Sequence, residues 1–331
     1  MRSSSRSEWR GGAVAVLFAA VVGATCCQSA FAQNYPTKPI RIIALSSPGS
    51  GPDIIGRLIG RKLTAAWGQQ VIVDTRPGAT GRIGAEMGAK SPPDGYTLVI
   101  VTSQAVIVSQ LYEKTLKYSL TRDFAPIGMV ATTPFLLVVH PTLPARSIEE
   151  FIALAKSKPG QIYYGSGGTG SPPHLSAEIF RTMTGIDIFH VPYKGVTPAM
   201  IDTIAGEVQM LISVIPAVLP AVKSGKVRAL GVTSLKRSPL VPDIPTIAET
   251  VPGYEFIGWY SLVARAGTPP AIIAKLNGEL TEALKTEEFR SRLVALGCEP
   301  RSSTPDDLAK WIKLQSAKMR KAIEDSGTRP E

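Results

Sequence analysis

The chain has 331 residues, 44% of them hydrophobic, which is ample for two α/β domains and long for a single ordinary core. Lys and Arg number 36 against 26 Asp and Glu, a formal charge of +10. The basic residues, among them Lys275, Lys285, Arg290, Arg292, Lys310 and Lys313, are dispersed along helical stretches rather than clustered with aromatics, which argues for solvated helix faces and against a nucleic-acid partner.

Residues 1–32 read as a signal peptide. Arg2, Arg6 and Arg10 form a basic start, Gly11 to Thr25 is small and apolar, and Ala30-Phe31-Ala32 supplies the A-x-A pattern of a cleavage site. Cleavage after Ala32 sends the mature chain to the periplasm. The apolar core is too short for a membrane anchor and is interrupted by Cys26, Cys27 and Gln28. Lipidation at Cys26 is a minor alternative, because Gly23 stands where a lipoprotein signal needs an apolar residue. The mature chain keeps Cys298 alone, so an internal disulfide is not expected and stability must come from packing. No later run has the apolar length of a membrane span, and a soluble monomer is expected.

Strand-length apolar runs then alternate with helical patterns, the signature of α/β architecture with largely parallel sheets. Ile40 to Leu45 reads as a strand, followed by the loop Ser46-Ser47-Pro48-Gly49-Ser50-Gly51-Pro52-Asp53 and a helix carrying Ile54, Ile55, Leu58, Ile59 and Leu63, stopped at Gly68. Val71 to Asp74 is a second strand, Ile83 to Lys90 a helix, and Thr97 to Thr102 a third strand, with Ser103 and Gln104 at its carboxyl edge. Two apolar stretches over Ala125 to His140 are expected to break at Thr132-Thr133-Pro134, where the chain passes into a second domain. That domain holds a helix from Ser147 with Glu150 as its capping partner, a strand Ile162 to Tyr164, and the loop Gly165-Ser166-Gly167-Gly168-Thr169-Gly170-Ser171. A helix from His174 to Thr184 and the strand Ile186 to Val191 lead to Tyr193 and Lys194. The helix Pro198 to Ala205, the strand Val208 to Val214, a helix Pro216 to Ser224 and strands at Val227 to Thr233 and Phe256 to Ala264 follow. Helices at Ala271 to Lys285 and Thr304 to Asp325 close the chain. The expected division is 33–132 with 254–331 as one lobe and 133–253 as the other, joined by two crossings with a ligand cleft between.

Both glycine-rich loops join a strand to a helix, where free backbone N–H groups, hydroxyls and the helix dipole favour an anion. The second loop spells G-x-G-x-x-G in Gly165, Gly167 and Gly170, yet Asp187 opens the next strand instead of ending it, and Pro172-Pro173 crowd the place of a pyrophosphate. The first loop lacks the lysine of a phosphate loop. No cofactor is therefore expected. A serine hydrolase using Ser166 with His174 as base is a weaker alternative, since neither Ser166 nor Ser50 lies in G-x-S-x-G. Three widely spaced histidines, His140, His174 and His190, give a metal site little support. Asp53 either meets a cationic group on a ligand or serves the helix dipole, and Tyr193 either contacts a ligand or packs at the hinge.

Taken together the motifs resemble the Bug-type extracytoplasmic receptors associated with tripartite tricarboxylate transporters, over nearly the whole mature length. The matching stretches include Tyr35-Pro36-Thr37-Lys38-Pro39-Ile40, Pro48 to Asp53, Arg76-Pro77-Gly78, Pro93-Asp94-Gly95-Tyr96-Thr97-Leu98, Ser166 to Leu175, Val191 to Gly195, Asp243-Ile244-Pro245-Thr246 and Ala266-Gly267-Thr268-Pro269. The resemblance implies a two-lobed, periplasmic-binding-protein-like α/β fold, each lobe a mostly parallel sheet, that closes on a small mono- or dicarboxylate and delivers it to membrane transporter subunits. It implies no catalysis, and a sensor for a membrane signalling protein is the alternative of the same fold. The expected ligand-binding residues are Ser46, Ser47, Ser50, Gly51, Pro52, Asp53, Ser103 and Gln104 on one lobe. On the other they are Ser166, Gly167, Thr169, Gly170, Ser171, Tyr193 and Ser213. The chain departs from the family at Ser46-Ser47, often Phe-Pro, at Ser50, often Gly, and at Ser213-Val214, often Asp-Asn.

Overall fold

The computed structural model describes residues 34–329, so the signal-peptide reading lies outside the described residues. The first lobe opens with β1 (Ile40–Ala44), α1 (Gly51–Trp67), β2 (Val71–Thr75), α2 (Arg82–Ala89), β3 (Thr97–Thr102) and α3 (Ser103–Leu111). Pro52 presets the helical φ at the start of α1, Ile55, Leu58, Ile59 and Leu63 form its buried face, and Gly68 ends it in a left-handed conformation. Each of those aliphatics contributes about 1.5–3 kcal/mol on burial. The strand β4 (Phe124–Val139) leads into the second lobe. There follow α4 (Ile148–Ser157), β5 (Tyr163–Ser166), α5 (Pro172–Thr184), β6 (Phe189–Pro192), α6 (Val196–Ala205), β7 (Met210–Val214), α7 (Ile215–Lys223) and β8 (Arg228–Val232). The chain returns through β9 (Ile257–Arg265) and ends with α8 (Pro270–Lys285), α9 (Glu287–Ala295), β10 (Glu299–Pro300) and α10 (Pro305–Ser326).

The strands run in the order β2-β1-β3-β9-β4-β7-β5-β6, with β10 and β8 also pairing β4. Within the lobes β1 is parallel to β2 and β3, and β5 is parallel to β6 and β7, as helical crossovers require. Every pairing of β4 and β9 is antiparallel. The mostly parallel sheets expected from the sequence thus hold for the outer strands only. The reason is topological: β4 carries the chain out of the first lobe and β9 carries it back, so neither needs a crossover helix.

The expected break at Thr132-Thr133-Pro134 is absent, and β4 runs unbroken for 16 residues. It changes partner there instead: Phe124 to Pro134 pair with β9, and Phe135 to Val139 pair with β7 and β8. A proline is tolerated at that changeover because its missing N–H falls where one ladder ends and the next begins. Beside it Thr233 clasps the two crossing segments, its N–H donating to Phe135 O at 3.0 Å and its Oγ1 accepting from Phe135 N at 2.8 Å. The apolar core continues through this point, from Ile43 and Val99 past Phe135 and Trp259 to Phe151, Tyr164 and Phe180. Helix α10 packs against both α3 and α5. No helix among the described residues is long and apolar enough to cross a membrane.

Candidate functional site

The first glycine-rich loop is held by its own side chains. Ser46 Oγ lies 2.5 Å from Ser50 Oγ, and Ser50 Oγ donates to the Ser47 carbonyl at 2.6 Å. The Gly49 N–H donates to Asp53 Oδ2 at 2.8 Å, and Arg57 Nε lies 2.9 Å from Asp53 Oδ1. Burial pushes the Asp53 pKa up, but the Gly49 N–H and the Arg57 guanidinium outweigh it and hold the carboxyl below its ordinary 3.8. Asp53 is therefore an ionised clasp that closes the loop. With the Ser50 hydroxyl turned into the loop, no side chain caps α1, and its first-turn N–H groups are left to other acceptors.

The second loop is also internally bonded. Ser166, fully buried, pairs through Oγ with His190 Nε2 at 2.6 Å and accepts from Gly168 N at 3.1 Å. Gly170 N–H donates to His174 Nδ1 at 3.1 Å, and Ser171 Oγ accepts from His174 N at 3.4 Å, capping α5. The base expected for a hydrolase, His174, is thus occupied by Gly170, and the serine it was to activate has no exposed surface. Thr169 and Gly167 are half-buried, Gly167 behind Val196. The Tyr193 hydroxyl donates to Asp202 Oδ2 at 2.7 Å and is thereby engaged within the second lobe.

Between the lobes lies a cavity of about 250 Å³. Five helices present their N-terminal residues to it: Pro52 of α1, Thr102 to Gln104 at the start of α3, Pro172 and Pro173 of α5, Val196 of α6 and Val214 at the start of α7. The remaining wall is Thr133 and Phe135 of β4, Ser213 of β7, and Gly258 to Tyr260 of β9. None of these lining residues carries a charge. Side-chain caps are missing from α1, α3, α6 and α7, so the positive dipole ends of helices from both lobes converge on one small volume. Such a cavity stabilises an anion without a buried countercharge. Gln104 Nε2 spans the cleft to Gly170 O at 3.5 Å, and Leu111 packs where a side chain at Gly170 would sit.

Of the residues expected from sequence, Pro52, Ser103, Gln104 and Ser213 line the cavity directly. Ser46, Ser47, Ser50, Gly51 and Asp53 build the loop behind Pro52, with Gly51 against Tyr260, while Ser166, Gly167, Thr169, Gly170 and Ser171 build the one before Pro172. Missed were Thr102, Pro172, Pro173, Val196 and Val214, all at strand ends or helix starts like Ser103, and Thr133, Phe135 and Gly258 to Tyr260, which only the sheet topology delivers. Two lining groups have buried polar atoms with no partner: Ser213 Oγ and Trp259 Nε1, on residues 0% and 1% exposed. Among the described residues no cluster of three or more His, Cys, Asp or Glu is arranged to hold a metal ion.

Comparison with known proteins matches this arrangement to a family. The family model described as tripartite tricarboxylate transporter family receptor matches residues 55–328. Protein BugT of Bordetella pertussis is 36% identical over 321 residues, 96% of this chain and 97% of that one. Among solved structures, an R. palustris protein with adipate is 36% identical with a TM-score of 0.76, covering 90% of this chain and 100% of that one. MatC from Rhodopseudomonas palustris with bound malate is 28% identical with a TM-score of 0.72, covering 87% and 100%. The chain belongs to the tripartite tricarboxylate transporter receptor family.

Proposed function

We propose that this protein is a periplasmic solute receptor that captures a small carboxylate between its lobes and presents it to the membrane subunits of a tripartite tricarboxylate-type transporter. The observation that carries the reading is the convergence of five helix N-termini, two from the first lobe and three from the second, on one cavity whose lining has no charged side chain. The carboxylate head lies against the N-termini of α1 and α3, with Pro52, Ser103 and Gln104 nearest. The loops Ser46 to Asp53 and Ser166 to Ser171 act as the jaws, fixing the starts of α1 and α5 on opposite lobes. Adipate and malate in the related structures support a carboxylate as the solute class. The lobes divide near Pro134 on the way out and between Thr233 and Ile257 on the way back, and closing about those crossings traps the ligand.

Native mass spectrometry of protein purified under mild conditions tests this. The expected result is a retained, chemically unmodified carboxylic acid, and a raised melting temperature when the same acid is added back. If no carboxylate in a broad panel shifts the melting temperature, the receptor reading fails.

A further inference from the structure

Ser213 and Trp259 are the cavity's anomaly. Ser213, at the end of β7, and Trp259, in β9, both line it, and both leave a buried polar atom without any hydrogen-bond partner in the protein. Such atoms cost about 1–3 kcal/mol each when left unpaired, so their persistence calls for an acceptor from outside the chain. The indole Nε1 can only donate, and the serine hydroxyl can donate or accept. The rest of the wall mixes apolar Phe135, Val214 and Pro173 with neutral polar Thr133, Gln104 and Tyr260, and carries no cation.

A second carboxylate fits that wall poorly. Its two oxygens offer about four acceptor sites and a full charge, which one hydroxyl and one indole N–H leave mostly uncompensated once the first carboxylate has engaged the helix ends. One neutral oxygen or nitrogen, by contrast, is matched by one or two such donors. Resting on the receptor reading above, we infer that the ligand is a monocarboxylate whose body carries a neutral hydrogen-bond acceptor, a carbonyl, hydroxyl or ring nitrogen, read by Ser213 Oγ and Trp259 Nε1. The carboxylate is held at the helix ends, and this pair selects what the rest of the molecule must be.

Calorimetric titration near neutral pH with matched acids tests the inference. The probes are levulinate against pentanoate, para-acetylbenzoate against para-ethylbenzoate, and adipate and malate as dicarboxylates. The oxo member of the pair that fits is expected to bind roughly tenfold tighter than its deoxo partner, the range of one or two hydrogen bonds, and tighter than either dicarboxylate. Ser213→Ala and Trp259→Phe should each shrink that ratio while still binding both members. Without ligand, Ser213→Ala should melt no lower than the parent, because the hydroxyl it deletes has no partner to lose; this keeps the test sound if Trp259→Phe folds poorly. Equal binding within every pair, tightest binding of a dicarboxylate, or a ratio untouched by Ser213→Ala overturns the inference and leaves the receptor reading standing. Binding of no acid at all removes both.

Discussion

Gly51 sits where a helix N-terminus meets an aromatic hydroxyl. A Cβ there would stand 2.6 Å from Tyr260 Oη, so the missing side chain lets the cavity wall and the first turn of α1 touch. Gly51→Ala does not harm the helix, since Ala is the better helix former. It forces Tyr260 to move, and overpacking of this kind costs about 1–3 kcal/mol. Because Tyr260 lines the cavity, the expected effect is a fall of about tenfold in affinity for the acid that copurifies, measured by calorimetry, with the helical circular dichroism unchanged. Unchanged affinity would separate Tyr260 from the site. At this scale the sequence was readable for Gly51 and Ser103, because loop chemistry and strand ends are local signals. It was silent on Tyr260, whose approach to Gly51 is set by a sheet that joins residues more than half the chain apart.

The second loop and α5 behave as one element, and His174 is the joint between them. Its Nδ1 accepts from Gly170 N–H, so the neutral ring carries its proton on Nε2, and the ring lies against His190 with centroids 4.1 Å apart. Burial pushes the His174 pKa below the ordinary 6.5; Glu178 pulls it back and Arg181 adds to the depression. The unfolded chain therefore takes up a proton as pH falls through about 6.5 while the folded chain does not. Stability should decline below that pH and level off once the folded pKa is passed, with a slope of at most about 1.4 kcal/mol per pH unit. His174→Asn keeps an acceptor at the Nδ1 position and cannot titrate. The difference between the two melting curves over mildly acidic pH should show this slope, and parallel curves would contradict it. Elements as such were mostly legible: both strand–loop–helix units around the glycine loops stand where their periodicity put them. Two were not. Helix α3 starts at Ser103 without a side-chain cap and is apolar on nearly all sides, so it lacks both a start signal and a face. The strand β4 contains Pro134, which reads as a break unless one knows that two ladders exchange there.

For the molecule as a whole, the two lobes share more than a cleft. One apolar cluster runs through the crossing point and α10 lies across helices of both lobes, so folding of either lobe supports the other. None of this is visible in a sequence window, because the contacts join residues 135, 233 and 256 across the whole second lobe. Thr233 concentrates the coupling. It exchanges backbone and side-chain bonds with Phe135, and its carbonyl accepts from Phe256 N–H at 2.9 Å, so one buried residue ties the outgoing strand to the returning one. Thr233→Val keeps the shape and deletes the hydroxyl, leaving Phe135 N–H buried without its acceptor. The expected cost is about 1–3 kcal/mol in urea unfolding, expressed in a single cooperative transition for parent and variant alike. Two resolved transitions in the variant would mean that the lobes are stabilised separately and that the crossing is a passive tether. A loss well under 0.5 kcal/mol, about the scatter of surface substitutions, would mean that the clasp does not hold the hinge. A single shifted transition makes the crossing a shared support of both lobes, which the proposed closure on a ligand at the five converging helix ends needs.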